Sequence, residues 1–130
     1  MSYEPLMYMH LVTVGPAALI GIYLFICRKG TAIHKSLGKI YMVLMLLTGV
    51  ITLLMPAAIG SRLFGHFGFI HLFSLLTLYA VPAAFLAARR GDIVAHKSSM
   101  MGLFIGGVLI AGTFAFMPGR ILHSWLFGAV

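Results

Sequence analysis

The chain has 130 residues, of which 62% are hydrophobic and only 8% are charged, and its mean hydropathy is +1.08. Soluble globular domains do not have such a composition, so the sequence indicates an integral membrane protein. Cys27 is the only cysteine, which excludes an intrachain disulfide and a thiolate cluster for zinc or iron–sulfur.

Four apolar runs follow one another along the chain, at about 6–27, 36–59, 68–88 and 98–118. Each is long enough for a membrane-spanning helix, which needs about 20 apolar residues to cross a hydrocarbon core about 30 Å thick. The N-terminus lacks the basic region of a cleavable signal peptide, so the first run is predicted to remain as a helix. We therefore expect an all-α integral membrane protein, a four-transmembrane-helix bundle that forms a single domain over residues 1–130.

The basic residues are distributed unevenly between the two sides of this bundle. Seven lie in or beside the first and third connections, and only Arg62 and Arg120 lie on the other side. The seven are Arg28, Lys29, Lys35, Lys39, Arg89, Arg90 and Lys97. By the positive-inside rule these two connections are cytoplasmic and both termini are outside, in a prokaryotic cell membrane. The net charge of +7 then serves topology and anionic lipid rather than nucleic acid, because no polar face carries it.

The second half of the chain repeats landmarks of the first half. His10-Leu11 and Arg28-Lys29-Gly30 recur 61 residues later as His71-Leu72 and Arg89-Arg90-Gly91. His34-Lys35-Ser36 recurs 62 residues later as His96-Lys97-Ser98, which places one extra residue in the third connection. The pattern predicts two repeated helical hairpins related by a pseudo-two-fold axis along the membrane normal.

This symmetry pairs the histidines. His10 and His71 are expected about one turn inside the outer boundary, and His34 and His96 at the inner boundary. In a bundle of sequential order the first and third helices are diagonal, as are the second and fourth. Each pair could then face across the bundle, which is the arrangement of two axial haem ligands. The sequence predicts two b-type haems, with these four histidines as iron ligands.

A haem needs small or flat surfaces beside its ligands and cations near its propionates. Small residues on the ligand faces would leave space for the macrocycle: Val14, Ala17, Gly21, Gly38 and Gly107. The face of His71 is bulkier, and glycines on the fourth helix serve helix packing equally well. Lys35 and Lys97 directly follow the inner histidines and could bind the propionates. With the four histidines, Lys35, Lys97, Gly38 and Tyr41 form the expected cofactor-binding set.

Other interpretations remain open at this stage. The inner histidines could be headgroup-level residues, the outer ones could hydrogen-bond helices, and Met100 could be an axial thioether. Asp92 and Glu4 lie outside the apolar runs, which disfavours a proton-coupled antiporter. A transition-metal transporter would need ligands along one path, whereas the middle of every helix is expected to be apolar.

Two short motifs support a family resemblance. "HKSLGKIY" has the pattern H-x-x-L-G-x-x-Y, and "RGDIVAHKSSM" has the pattern R-G-D-x-x-x-H-x-x-x-M. These resemble a family of small bacterial multi-pass membrane proteins of unknown function, over residues 15–110. The resemblance marks His34, Leu37, Gly38, Tyr41, Arg90, Gly91, Asp92, His96 and Met100 as family positions. It implies no activity.

The arrangement of helices and histidines is also similar to the core of cytochrome b561 proteins, although no sequence motif is shared. We therefore expect a two-haem b-type cytochrome that carries electrons across the membrane, between a quinol or cytoplasmic donor and an outer acceptor. Its partners would be a quinol or redox proteins, and a homodimer or a larger complex would suit so small a bundle. The alternatives are a non-catalytic membrane subunit with structural or metal-binding histidine pairs, and a small transition-metal transporter.

Overall fold

A computed structural model describes residues 3–55, 69–110, 112–113 and 121–128. The helices are α1 (Tyr3–Ile26), α2 (Ala32–Leu54), α3 (Phe69–Arg89), α4 (Ile93–Gly102), a π-helical segment (Leu103–Ile110) that continues α4, and α5 (Ile121–Phe127). Four of these helices, counting α4 with its π-helical segment, are long and apolar enough to cross a membrane. The predicted all-α architecture with four spans is thus confirmed.

The second and fourth helices begin earlier than the apolar runs predicted. α2 begins after Thr31, whose side-chain oxygen accepts a hydrogen bond from the His34 backbone N–H at 3.1 Å. α4 begins after Asp92, whose carboxylate accepts from the Ala95 N–H at 3.1 Å. Each cap satisfies a backbone donor that the first helical turn leaves without a partner. The histidines and lysines of the motif therefore lie inside helices, because hydropathy marks the membrane boundary and not the helix start.

The other ends differ from the predictions in smaller ways. α2 ends at Leu54, with Met55 as its C-cap, and the predicted continuation to residue 59 lies outside the described residues. The predicted residue 68 and most of the predicted stretch 111–118 lie outside them too. The short helix α5 was not predicted, because its seven residues are too few to span a membrane.

The helices pack in sequential order around the bundle. α1 packs on α2, α2 on α3, and α3 on α4 and its π-helical segment, which touches α1 and closes the ring. Across the described part of the chain, α1 and α3 lie on one diagonal and α2 and α4 on the other. We call the end that holds connections 27–31 and 90–92 the basic end, and the other the opposite end.

Two apolar clusters form the interior. The larger contains Ala17, Leu24, Tyr41, Met45, Ala80, Val81, Leu103 and Phe104, and lies in the middle of the bundle and toward the basic end. The smaller contains Leu6, Ile51 and Met55 and lies at the opposite end. Large apolar side chains on all four spanning helices are exposed on the outside, as a lipid-facing surface requires.

The two turns at the basic end share a backbone geometry. Gly30 and Gly91 have φ values of +80° and +76°, which only glycine adopts at low cost, and a helix cap follows each. The helix caps Thr31 and Asp92 are therefore also 61 residues apart. The prediction that the extra residue lies in the third connection is wrong. The extra residue falls inside α4, where His96 is the fourth residue, whereas His34 is the third residue of α2.

Candidate functional site at the basic end

His96 is held in a defined orientation on α4. Its Nδ1 donates a hydrogen bond to the Ala84 carbonyl of α3 at 2.9 Å. A carbonyl can only accept, so the proton of the neutral ring is on Nδ1 and Nε2 keeps its lone pair. Histidines that bind metals commonly show this arrangement, in which a backbone carbonyl fixes the ring and its tautomer.

His34 lies across the bundle from His96, on the diagonal helix α2. His34 lies in the first turn of α2 and His96 in the first turn of α4, so both are at the basic end. His34 Nδ1 is buried and has no hydrogen-bond partner among the described residues. Unlike His96, the ring of His34 is therefore not tied to a backbone carbonyl through this nitrogen.

Gly38 and Tyr41 follow His34 on the same face of α2, one and two turns further from the basic end. Gly38 is buried, yet a Cβ placed on it would meet no atom within 4 Å beyond its own turn of helix. Tyr41 is 1% exposed, and its hydroxyl is buried with no partner in the described part of the chain. The family motif thus brings an imidazole, a small surface and a phenol to one interior face.

The charged residues around this face are mostly basic. Lys35 and Lys97 are exposed beside the two histidines, as are Arg28 and Arg90 in the turns. Lys29 is used locally, because its Nζ donates to carbonyls in the last turn of α1, among them Leu24 and Phe25. Asp92, the only carboxylate at this end, caps α4. The basic end therefore has a positive field that favours anionic groups.

Two glycines predicted to leave space for a macrocycle do not do so. A Cβ on Gly21 would lie 2.8 Å from the Phe104 ring, and a Cβ on Gly107 would lie 3.2 Å from the Met45 side chain. Ala17 is fully buried in the larger apolar cluster. These small residues allow neighbouring helices to approach closely, so the prediction is wrong for Gly21 and Gly107.

The outer histidines are in a different environment. His71 is 3% exposed, and its Nε2 donates to the Met55 carbonyl at the end of α2, at 2.8 Å. This bond satisfies a carbonyl that the last turn of a helix leaves without a partner. His10 is half-buried on α1, and its carbonyl accepts a hydrogen bond from the Thr13 hydroxyl at 2.9 Å.

Hydroxyl groups connect neighbouring helices in the part of the bundle that was expected to be apolar. Thr13 and Thr48 share a hydrogen bond between α1 and α2, and Thr52 and Ser74 share one between α2 and α3. Thr48, Thr52 and Ser74 are all buried. The expectation of an apolar middle in every helix is therefore wrong. The sequence did contain a sign of these polar faces, because Thr48 and Thr52 lie one helical turn apart, as do His71 and Ser74.

Comparison with known proteins gives one finding. Residues 7–118 match the family described as "Predicted membrane protein (DUF2306)". The chain belongs to this family. The description gives a membrane location and no activity, and it lends no support to the similarity with cytochrome b561 proteins. No curated protein and no solved structure matches this DUF2306 chain.

The two ends of the DUF2306 chain differ in how well their histidines suit a haem. At the opposite end His71 is tied to Met55, and Leu6, Ile51 and Met55 pack closely, so the His10 and His71 pair does not fit a haem. At the basic end, none of the residues of α4 is buried, His96 presents Nε2, and Gly38 leaves room. His34 and His96 therefore have the donor chemistry that a haem iron would need at this end.

Two further observations concern the remaining candidate residues. The described residues contain no group of three or more histidine, cysteine or acidic side chains that could hold a bare metal ion. His66, Arg62 and Arg120 lie outside the described residues, as does the side chain of His123.

Proposed function

We propose that the protein is a b-type haem protein of the membrane, with one haem at the basic end between His34 and His96. The observation that carries the proposal is that the diagonal helices α2 and α4 each begin at the basic end with a histidine in the first turn, while the Ala84 carbonyl accepts from Nδ1 of His96 and leaves Nε2 available as a donor atom. A haem bound there supplies one-electron redox chemistry.

The surrounding residues have separate tasks in this proposal. Ala84 orients His96 through its carbonyl, and Gly38 leaves the ligand face of α2 without a side chain. Lys35 and Lys97 provide cations for the propionates at the membrane surface. The positive-inside rule makes this end cytoplasmic, so the electron donor would be a quinol or a cytoplasmic redox protein.

The proposal differs from the two-haem prediction in the number of haems. A second haem between His10 and His71 would require His71 to give up the Met55 carbonyl in a closely packed region. Breaking such a buried bond costs about 1–3 kcal/mol for the carbonyl left behind. We expect one haem per chain, which would exchange electrons at the basic end without carrying them across the membrane.

Absorption spectra of the protein purified from haem-replete cells test this proposal. Reduction with dithionite should sharpen and red-shift the Soret band, and the haem content should approach one per chain. His34→Ala and His96→Ala should each abolish haem binding.

The matched controls are His10→Ala and His71→Ala, which should keep the full haem content. A content of two per chain, with half lost in the control variants, would restore the outer haem and overturn the one-haem proposal. A colourless preparation would overturn haem binding itself and favour a non-catalytic membrane subunit with structural histidines, the role that His71 already shows at the end of α2.

A further inference from the structure

We infer that a single water molecule is bound inside the basic end, between the Tyr41 hydroxyl and Nδ1 of His34, in the space beside Gly38. Both polar atoms are buried, and neither has a hydrogen-bond partner among the residues that the structure describes. More than nine in ten buried polar groups in proteins are paired with protein or with ordered water. Two such atoms on one helix face therefore indicate a site for a hydrogen-bonding oxygen.

The backbone of α2 places both groups on the same face of the helix. His34, Gly38 and Tyr41 are separated by four and three residues, so they lie in one row on the helix. A long side chain on a helix leans toward the N-terminus over the preceding turn. By this rule the Tyr41 side chain leans toward the basic end, although its ring does not come within 4 Å of a Cβ placed on Gly38.

Gly38 gives the oxygen its room. A Cβ at this buried position would meet nothing within 4 Å, whereas a Cβ at Gly21 would lie 3.1 Å from the Tyr41 ring. The Tyr41 ring is thus packed on its α1 side, while the Cβ position of Gly38 is free of neighbouring atoms. The volume of one missing side chain suits a single water molecule.

The water would position His34 in the proposed haem site, and this role rests on the proposed function. If His34 binds iron through Nε2, its Nδ1–H needs an acceptor, as Nδ1 of His96 has in the Ala84 carbonyl. The water is that acceptor, and Tyr41 holds the water. Tyr41 is thus a positioning residue that touches neither iron nor macrocycle.

Thermal unfolding of the purified protein tests the water site whether or not haem is bound. Tyr41→Phe should lower the melting temperature, because it removes a bonded hydroxyl from the interior, and Tyr79→Phe is the matched control at a position that is 75% exposed. Gly38→Ala should also lower it by displacing the water. Its control is Gly102→Ala, an exposed glycine whose Cβ would meet nothing within 4 Å.

The opposite result would overturn the inference. If the Tyr41 hydroxyl is unbonded, Tyr41→Phe should raise the melting temperature, and Gly38→Ala should raise it through the higher helix propensity of alanine.

The double variant adds a second criterion. Its melting temperature should fall by less than the sum of the two single decreases, because both substitutions remove the same water. Should either variant fail to fold, a high-resolution structure of the wild-type protein decides, by the presence or absence of an ordered oxygen within hydrogen-bond distance of both atoms.

A redox titration separates this inference from the proposed function. In a haem-loaded protein, Tyr41→Phe should raise the midpoint potential, since losing the acceptor lowers the basicity of His34, while Tyr79→Phe should not shift it. A colourless protein with the predicted unfolding pattern would refute the haem and retain the water. A haem protein in which Tyr41→Phe is stabilising and leaves the potential unchanged would refute the water and retain the haem.

Discussion

His71 and His96 each donate a hydrogen bond from one ring nitrogen to a backbone carbonyl. They use different nitrogens and lie at opposite ends of the bundle, so the two bonds have different roles. His71 uses Nε2 on the carbonyl of Met55, among closely packed apolar side chains. His96 uses Nδ1 on the carbonyl of Ala84, at an end where α4 buries none of its residues. The first arrangement ties α3 to the end of α2. The arrangement of His96 leaves Nε2 without a proton and pointing away from the Ala84 carbonyl, as a metal ligand requires.

His71→Ala should therefore destabilise the fold and leave the proposed haem in place. The variant leaves the Met55 carbonyl buried without its donor, which costs about 1–3 kcal/mol. His71→Gln should recover part of the loss, because its amide can donate to the same carbonyl. Chemical unfolding in detergent measures both, with Leu72→Ala as the control at an exposed neighbouring position. Equal stability of His71→Ala and Leu72→Ala would contradict the structural role.

Glycines determine how closely the helices approach one another. Gly21 of α1 faces the Phe104 ring of the π-helical segment, and Gly49 of α2 faces Leu78 and Thr77 of α3. Gly106 of the π-helical segment faces Leu76 on α3. Membrane helices lack a hydrophobic drive to associate in lipid, so close packing at such small residues holds the bundle together.

Gly21→Ala should destabilise the bundle even though alanine favours a helix. The new methyl group would lie 2.8 Å and 2.9 Å from two carbons of the Phe104 ring, so the ring must move. Overpacking of this kind costs about 1–3 kcal/mol, which outweighs a gain of about 1 kcal/mol in helix propensity. Thermal unfolding is the measurement, and Gly102→Ala, which adds a methyl without a contact, should be neutral or stabilising. A Gly21→Ala protein as stable as Gly102→Ala would show that Phe104 adapts freely.

The elements were predicted in number and order, but not in their boundaries or local form. Hydropathy located four helices because a lipid bilayer requires long apolar segments. It placed the starts of α2 and α4 too late, because Thr31 and Asp92 begin these helices within polar sequence. The π-helical form of Leu103–Ile110 has no sequence signature that hydropathy or helix propensity would reveal.

For the molecule as a whole, the sequential order of the bundle was predictable and the difference between its two ends was not. The repeat treats the two histidine pairs as equivalent, yet the structure distinguishes them by their hydrogen bonds and packing. His34 and His96 also occupy different helical positions, third and fourth, and one residue rotates a side chain by about 100°. Hydroxyls such as Thr48 and Ser74 were missed because a hydropathy average over some 20 residues conceals single polar side chains.

The asymmetry of charge makes a prediction about orientation in the membrane. Seven of the nine basic residues lie at or near the basic end, so that end should face the cytoplasm.

Cysteine labelling tests this orientation. In a Cys27→Ala background, Arg90→Cys places one thiol in an exposed turn at this end. A membrane-impermeant maleimide should label it in inside-out vesicles and not in intact spheroplasts, while detergent permeabilisation should allow labelling in both. Six basic residues remain at this end in the variant, so the charge bias that sets the orientation is retained. Labelling in intact spheroplasts would reverse the topology and place the proposed haem on the outer face, where a cytoplasmic donor could not reach it.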